Sequence, residues 1–134
     1  MLEGDPGLEW LEFYNSDGPA NTKTVCHLPR RYRLVLGSHT SVVKIRRDYV
    51  RKGIQKHGFS FDDMALIEKT ILNGEAFLDS RKQLNFFLPE YADQQTSLFV
   101  AIKTAEKGAE LWVKSYHRKR IAEKNRLLKR LSKV

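Results

Sequence analysis

The sequence holds a single cysteine, Cys26, among its 134 residues. One cysteine cannot form an internal disulfide or a zinc site built from several cysteines. No apolar run approaches the roughly 18 residues that a membrane-spanning helix needs, and no charged-then-apolar amino-terminal segment of the secretory type is present. We therefore expect one soluble globular domain, because this length supports a single core.

Motifs for common phosphate and metal chemistry are also missing. The sequence has no Gly-rich phosphate loop ending in Lys-Ser or Lys-Thr, no H-E-x-x-H helix and no nucleophile elbow. Its four histidines do not alternate with carboxylates at metal-ligand spacing. We therefore expect no metal and no other cofactor.

What the chain has in excess is positive charge, with a formal net charge of +8. The charge is concentrated in two blocks. Residues 30–57 hold nine Lys and Arg against Asp48, and residues 118–134 hold eight against Glu123. Two basic blocks separated by a mildly acidic body are typical of nucleic-acid-binding proteins.

The hydrophobic periodicity predicts an α+β domain over residues 30–117. Its two helices, over 46–58 and 61–72, would pack on a three- to four-stranded antiparallel sheet. We expect strands at 32–36 and 42–45, then at 81–88, 97–104 and 109–116, the last two forming a hairpin. The first 29 residues read as an irregular lead-in or linker, and residues 118–134 as a basic amphipathic helix.

Two local features refine the helices. Ser60 and Asp63 have the spacing of a capping box at the start of the second helix, and Gly58 is a plausible end for the first. Gly53 lies inside the first helix, where it costs about 1 kcal/mol relative to Ala. We therefore expect another group to approach the backbone closely at Gly53.

Polar side chains suited to metal-free phosphodiester cleavage occur at two element ends. One strand ends in Ser115-Tyr116-His117-Arg118, and one helix ends in Lys52…Lys56-His57. Cleavage of RNA without a metal needs a base for the ribose 2′-hydroxyl and an acid for the leaving 5′-oxygen, roles that suit histidine. It also needs cations aimed at the phosphate. Both histidines serve one phosphodiester only if they lie within about 10 Å.

Each of these residues also has a purely structural interpretation. His57 is favourable at a helix carboxyl end through the helix dipole, and His117 suits a solvated strand end. Lys52 and Lys56 fit the exposed face of an ordinary helix. His27 and His39 fall in loops, where we expect no catalytic role.

Residues 40–120 resemble the phage-associated branch of the barnase–EndoU–colicin–RelE superfamily of small RNases. The likeness lies in three successive segments: KIRRDYVRKGIQKHG, DDMALIEKTILNGEAF and LFVAIKTAEKGAELWVKSYHRKR. Lys52 and His57 match the family's first helix. The hairpin end matches a motif of the form E-L-x-V-x-S-[FY]-H-R through Glu110, Leu111, Val113, Ser115, Tyr116, His117 and Arg118. The chain departs from the family at two positions. Arg46 stands where family members often have a small hydroxyl residue, and Gly53 stands where they often have a further histidine.

This resemblance implies a metal-independent endoribonuclease of the toxin type. His57 and His117 would be general acid and base, in an order that the sequence leaves open. The scissile phosphate would be bound by Lys52, Arg118 and Lys103, and oriented by Ser115 and Tyr116. Further substrate contacts would come from Lys56, Arg51, Arg47 and Arg120.

The resemblance also implies partners and a setting. The substrate would be RNA of an unassigned class, transfer RNA included, and the basic surface would suit an acidic immunity or antitoxin protein. The domain would act in the cytoplasm, delivered as the carboxy-terminal part of a larger phage or secreted protein.

Two other functions remain open from the residues alone. A non-catalytic RNA- or DNA-binding module would use the same basic blocks as a phosphate clamp, with steep salt dependence. An interaction domain could instead dock its terminal helix on a partner or an anionic membrane through the apolar residues Leu127, Leu128, Leu131 and Val134. We expect no membrane partner, because that interpretation leaves the Ser-Tyr-His-Arg strand end unexplained.

Overall fold

The protein is described by a computed structural model, which covers residues 6–17, 21–88 and 96–134. Over these residues the chain forms five α-helices and seven β-strands. The helices are α1 Pro6–Asn15, α2 Arg30–Leu36, α3 Arg47–Lys56, α4 Phe61–Asn73 and α5 Ile121–Leu128. The strands are β1 Thr22–His27, β2 Val42–Arg46, β3 Glu75–Leu78, β4 Leu84–Leu88, β5 Thr96–Ala105, β6 Glu110–Arg120 and β7 Ser132–Lys133.

All seven strands belong to one mixed sheet in the order β1-β2-β6-β5-β4-β3-β7. Strands β2 and β6 are parallel, and every other pair of neighbours is antiparallel. The prediction of an α+β fold is confirmed. The predicted sheet of three or four antiparallel strands was wrong, because additional strands lie at both edges.

Helices α1 to α4 pack on one face of the sheet, which we call the helix face. Trp10, Tyr32, Val50 and Ile67 represent these helices in one buried core with sheet residues such as Val43. Alternation along each strand points the other residues to the opposite face. There α5 and the residues after it cover a smaller apolar cluster around Phe87 and Phe99.

The first 29 residues were predicted to be an irregular lead-in, and the structure corrects this for the part that it describes. Residues 6–15 form α1, and residues 22–27 form the edge strand β1. Trp10 and Val25 are buried in the main core. Apolar burial explains the ordered structure: this segment supplies side chains that the core needs. Residues 1–5 and 18–20 lie outside the described part of the chain.

Residues 32–36 were predicted to be a strand but lie in α2. Tyr32 and Leu36 are buried, whereas Leu34 is 69% exposed. Tyr32 and Leu36 are four residues apart, and such residues lie on the same side of both a strand and a helix. Their spacing therefore did not distinguish the two structures. The exposure of Leu34 is the sign of helical periodicity.

The terminal helix predicted over residues 118–134 is much shorter. Residues 118–120 continue β6, since the ladder pairs Arg118, Lys119 and Arg120 with Leu98, Ser97 and Thr96. Only residues 121–128 are helical, and Ser132–Lys133 pair with β3 as an edge strand. A run of basic residues has no apolar alternation, so its continued pairing with β5 was not visible in the sequence.

Several local predictions are confirmed. Ser60 and Asp63 form a reciprocal capping box at the start of α4, and β5 and β6 form the expected antiparallel hairpin. The predicted strand over 81–88 is shorter, as β4 over 84–88, and its predicted end at Pro89 lies outside the described residues. None of the described helices is long and apolar enough to cross a membrane.

Candidate functional site

The candidate site lies where two parallel strands separate. Strand β2 pairs with β6 only at Val43–Leu111 and Lys44–Trp112. It then ends at Arg46, and the chain continues directly into α3, which lies beside the second half of β6. The carboxyl ends of parallel strands, at a point where the strands diverge, are a common position for binding clefts.

Tyr116 attaches α3 to β6. Its hydroxyl donates a hydrogen bond to the backbone carbonyl of Tyr49 in α3. A Cβ atom at Gly53 would lie only 2.8 Å from Cε2 and Cζ of the Tyr116 ring, so only glycine allows this approach. The close contact predicted at Gly53 is therefore confirmed. Burial raises the pKa of Tyr116 above its ordinary value, which keeps the hydroxyl protonated as a donor.

A cavity of about 230 Å³ lies between α3 and β6. Helix α3 and the turn after it contribute Tyr49, Lys52 and His57. Strand β6 contributes the four consecutive residues Lys114, Ser115, Tyr116 and His117. The cavity thus brings together five residues that the sequence predicted for the site: Lys52, His57, Ser115, Tyr116 and His117.

The two histidines face each other across this cavity. The centroids of the His57 and His117 rings are 6.1 Å apart, and the ring planes are nearly perpendicular at 86°. A separation of this size is within the roughly 10 Å that action on one phosphodiester allows. Two imidazoles on different elements therefore converge on one small volume.

His117 lies on a firm apolar support. Its ring stacks on Phe99, the residue paired with it on β5, with centroids 6.2 Å apart and planes 10° apart. Partial burial lowers the pKa of His117 below its ordinary value of 6.5, and the nearby charges of Lys119, His57 and Lys52 lower it further. At neutral pH the ring is therefore held in its neutral form, with a nitrogen able to accept a proton.

His57 is held through its backbone at the end of α3. Its N–H bonds to the Gly53 carbonyl at 3.2 Å, and Gly58 follows with a φ of +68°, the left-handed conformation common after helix ends. Arg118 donates to the carbonyl oxygens of Gly58 and His57, at 3.0 and 3.4 Å, and to Asp63 Oδ2 at 3.0 Å. Its guanidinium also lies over Phe59.

Arg118 was predicted to bind the scissile phosphate, and the structure gives its guanidinium a different position. It joins β6 to the turn that carries His57 and to the start of α4. The arginine thereby fixes His57 relative to the neighbouring His117. We describe Arg118 as a positioning residue.

Two other arginines predicted for the substrate belong to the packing of α1. Arg47 is buried and donates to the Phe13 carbonyl and the Ser16 hydroxyl, both at 3.2 Å. Arg51 donates to the carbonyl oxygen of Tyr14 at 3.0 Å. Both guanidinium groups therefore bind backbone oxygens of the segment that the sequence had assigned to a lead-in.

The remaining predicted contacts lie around the cavity and not in its wall. Lys56 is exposed in the last turn of α3, and Arg120 is exposed at the end of β6, before α5. Lys103 lines a second cavity, which shares Tyr49 and Lys114 with the first. These three cations lie outside the wall of the first cavity, whereas Lys52 forms part of it.

Tyr49 and Lys114 also line the cavity and were not predicted from the sequence. Lys114 lies at a bulge in β6, because Ile102 pairs with Val113 whereas Ala101 pairs with Ser115. A bulge shifts the strand's alternation by one residue and brings Lys114 to the wall of the cavity beside Ser115. No glycine or proline marked this bulge in the sequence, so no signal was available.

No group of three or more His, Cys, Asp or Glu side chains in the described part of the chain could hold a metal ion. No protein-family model matches the chain, and searches of curated proteins and of solved structures also found no match. The resemblance to the small RNases therefore remains a prediction.

Proposed function

We propose that this protein is a metal-independent endoribonuclease. The observation that carries the proposal is the pair formed by His57 and His117, 6.1 Å apart in one cavity with Lys52, Lys114 and Ser115. A general base, a general acid and cations around one phosphate are the requirements of metal-free RNA cleavage. The exposed cations of the two basic blocks would hold the polymer.

The lowered pKa of His117 assigns the general base in this proposal. Because burial and nearby cations lower the pKa of His117, it would be neutral at physiological pH and would remove the proton from the ribose 2′-hydroxyl. The 2′-oxygen would attack the phosphorus, and the bond to the 5′-oxygen would break. His57, as the general acid, would give a proton to that leaving oxygen, so that the products are a 2′,3′-cyclic phosphate and a 5′-hydroxyl.

The other cavity residues would stabilise the transition state. Negative charge grows on the non-bridging phosphate oxygens as the 2′-oxygen attacks, and an ammonium group nearby lowers its energy. Lys52 on α3 and Lys114 on β6 approach the cavity from both sides. The Ser115 hydroxyl would donate a hydrogen bond to one of these oxygens.

The test is cleavage of total RNA by the purified chain in the presence of EDTA. His57→Ala and His117→Ala should each reduce the rate by at least about 100-fold, the usual minimum for losing a general acid or base. His27→Ala and His39→Ala are matched controls, because His27 bonds to Ser41 and His39 packs near Gly108, away from the cavity. These two variants should keep the parental rate.

Other results would support the alternative function. RNA that stays intact but is retarded on a gel, in a salt-sensitive way, would contradict the enzyme and support a non-catalytic binding module. Equal loss of activity in all four variants would point to a general effect on folding. The proposal also includes a toxin role and an acidic inhibitor protein. Binding of that inhibitor should weaken as the salt concentration increases.

A further inference from the structure

A second cavity, of about 180 Å³, adjoins the cavity lined by His57 and His117, which we call the histidine cavity. The two share Tyr49 and Lys114 as a common wall. The second cavity is further lined by Arg46, Lys103, Glu106, Glu110 and Trp112. The histidine cavity accounts for the phosphate chemistry but leaves this set of an indole, two carboxylates and several cations without a role.

Trp112 lines the second cavity. It is half-buried on the sheet face opposite α1–α4, and the Arg46 guanidinium lies over its ring at 4.4 Å. Two lysines pair with Trp112 across the sheet: Lys44 on β2 and Lys103 on β5. An indole stacked with a guanidinium, between two lysines, is a surface on which nucleobases stack while the adjacent phosphates meet cations.

The two carboxylates give the cavity a direction. Trp112 Nε1–H donates to Glu110 Oε1 at 3.4 Å, so the carboxylate lies at the edge of the indole and not over its face. Glu106 comes from the tight turn of the hairpin, where its φ is +52°. A base stacked on the Trp112–Arg46 pair would therefore meet carboxylate oxygens with its polar edge.

Carboxylates accept hydrogen bonds and repel carbonyl oxygens. The 4-amino group of cytosine donates to such oxygens, whereas uracil has a carbonyl oxygen at the same position. Adenine and guanine also carry amino groups on the edges that pair. Hydrogen bonding to the carboxylates of Glu106 and Glu110 thus favours bases with an exocyclic amino group over uracil.

We propose that the second cavity holds the nucleobase next to the scissile phosphate and selects bases that carry an amino group. This inference rests on the proposed function for the meaning of the adjacent cavity. Stacking on Trp112 and Arg46 would position the nucleotide, and Glu110 would choose the base. Lys114, in the wall between the cavities, would bind the phosphate that joins them.

The experiment compares cytidine monophosphate with uridine monophosphate, which share charge and ribose and differ at the 4-position. Quenching of tryptophan fluorescence reports binding, since Trp10 is only 4% exposed in the core and Trp112 borders the cavity. Both nucleotides should quench in a saturable way, with the cytidine nucleotide bound at least about fivefold more tightly. Trp112→Phe should abolish the signal.

Glu110→Gln tests the source of selectivity. An amide both donates and accepts, so the variant should remove the difference between the two nucleotides. Glu123→Gln removes the same charge at an exposed position of α5. This control should keep the difference in affinity between the two nucleotides. Equal affinities in the parent protein, or no quenching by either nucleotide, would overturn the proposal.

This result is separable from the proposed function. A clear preference for the cytidine nucleotide without any RNA cleavage would retain the base cavity and refute the endoribonuclease. RNA cleavage in EDTA that depends on His57 and His117, without a difference between the nucleotides, would do the reverse.

Discussion

The two faces of the sheet use positive charge in opposite ways. On the helix face, Arg47, Arg51 and Arg118 bind carbonyl and carboxylate oxygens of the protein itself. On the opposite face, Lys44 and Arg46 lie over Trp112, beside the cavities. A basic block in the sequence therefore divides into cations that hold the fold together and cations that border the cavities.

The comparison explains why His57 and His117 meet. His117 is attached to the sheet by stacking on Phe99, whereas His57 is attached through the turn that Arg118 binds. One histidine is held by its side chain and the other by its backbone. The structural arginine and the proposed catalytic pair thus form one unit at the end of α3.

Outside the histidine pair, the largest expected effect comes from Lys114, a cation in the wall of both cavities. Lys114→Ala should lower RNA cleavage by on the order of 100-fold, as expected for loss of one transition-state contact. Its free energy of unfolding should stay nearly unchanged, because Lys114 is exposed. Lys69→Ala, on the exposed side of α4, is the matched control. Equal activities of the two variants would contradict the role given to Lys114.

The second effect concerns the contact between α3 and β6. Gly53→Ala removes the intrinsic penalty of glycine in a helix, about 1 kcal/mol, but its Cβ would collide with the Tyr116 ring. We expect a net destabilisation of about 1 to 3 kcal/mol from overpacking, measured by urea unfolding. An increase in stability would show that the Tyr116 contact is looser than described.

A third prediction concerns Arg47, whose loss should affect stability and not activity, the opposite of the loss of Lys114. Arg47→Ala should lower the free energy of unfolding by about 1 to 3 kcal/mol, because it leaves the oxygens of Phe13 and Ser16 without their donor. Cleavage per folded molecule should remain at the parental level, since Arg47 does not line the cavity. Loss of activity without loss of stability would place Arg47 at the substrate instead.

The smallest effect is a shift in pH dependence. The folded-state pKa of His117 lies below 6.5, so the unfolded chain takes up this proton more readily. The stability contributed by neutral His117 is therefore present above about pH 6.5 and decreases as the pH falls through the folded-state value. Cleavage should fall over the same acidic range, because the base must be neutral.

Lys119 provides a variant for this prediction. Its charge is the second cause of the lowered pKa, after burial, so Lys119→Gln should raise the pKa of His117. The acidic limb of the pH–rate profile should move to higher pH in this variant. A profile that does not move would separate the acidic limb from His117.

Short-range features of the fold could be predicted from the sequence. The capping box at Ser60 and the glycine at 53 each follow from one local requirement, a donor to satisfy or a contact to admit. The sequence made the proximity of His57 and His117 a condition of the hypothesis without showing it, and the structure places the two ring centroids 6.1 Å apart. Nothing local distinguished Arg118 as a residue that binds backbone carbonyls.

The rest depended on long-range pairing. Strand β3 follows Gly74 immediately, and the sequence between α4 and β4 is too short to display a period of its own. Strand β7 has two residues and exists only because β3 offers an edge. The bulge at Lys114 likewise depends on the partner strand. Such features arise from neighbours distant in sequence, which a pattern along the chain does not contain.

The most direct test of the endoribonuclease uses two oligonucleotides of the same sequence in EDTA. One is entirely RNA, and the other carries a single 2′-deoxyribose on the 5′ side of the cleaved bond. The account predicts a 2′,3′-cyclic phosphate from the first and no cleavage at that bond in the second. Cleavage of both at equal rates would contradict attack by the 2′-hydroxyl, and with it the roles of His57 and His117.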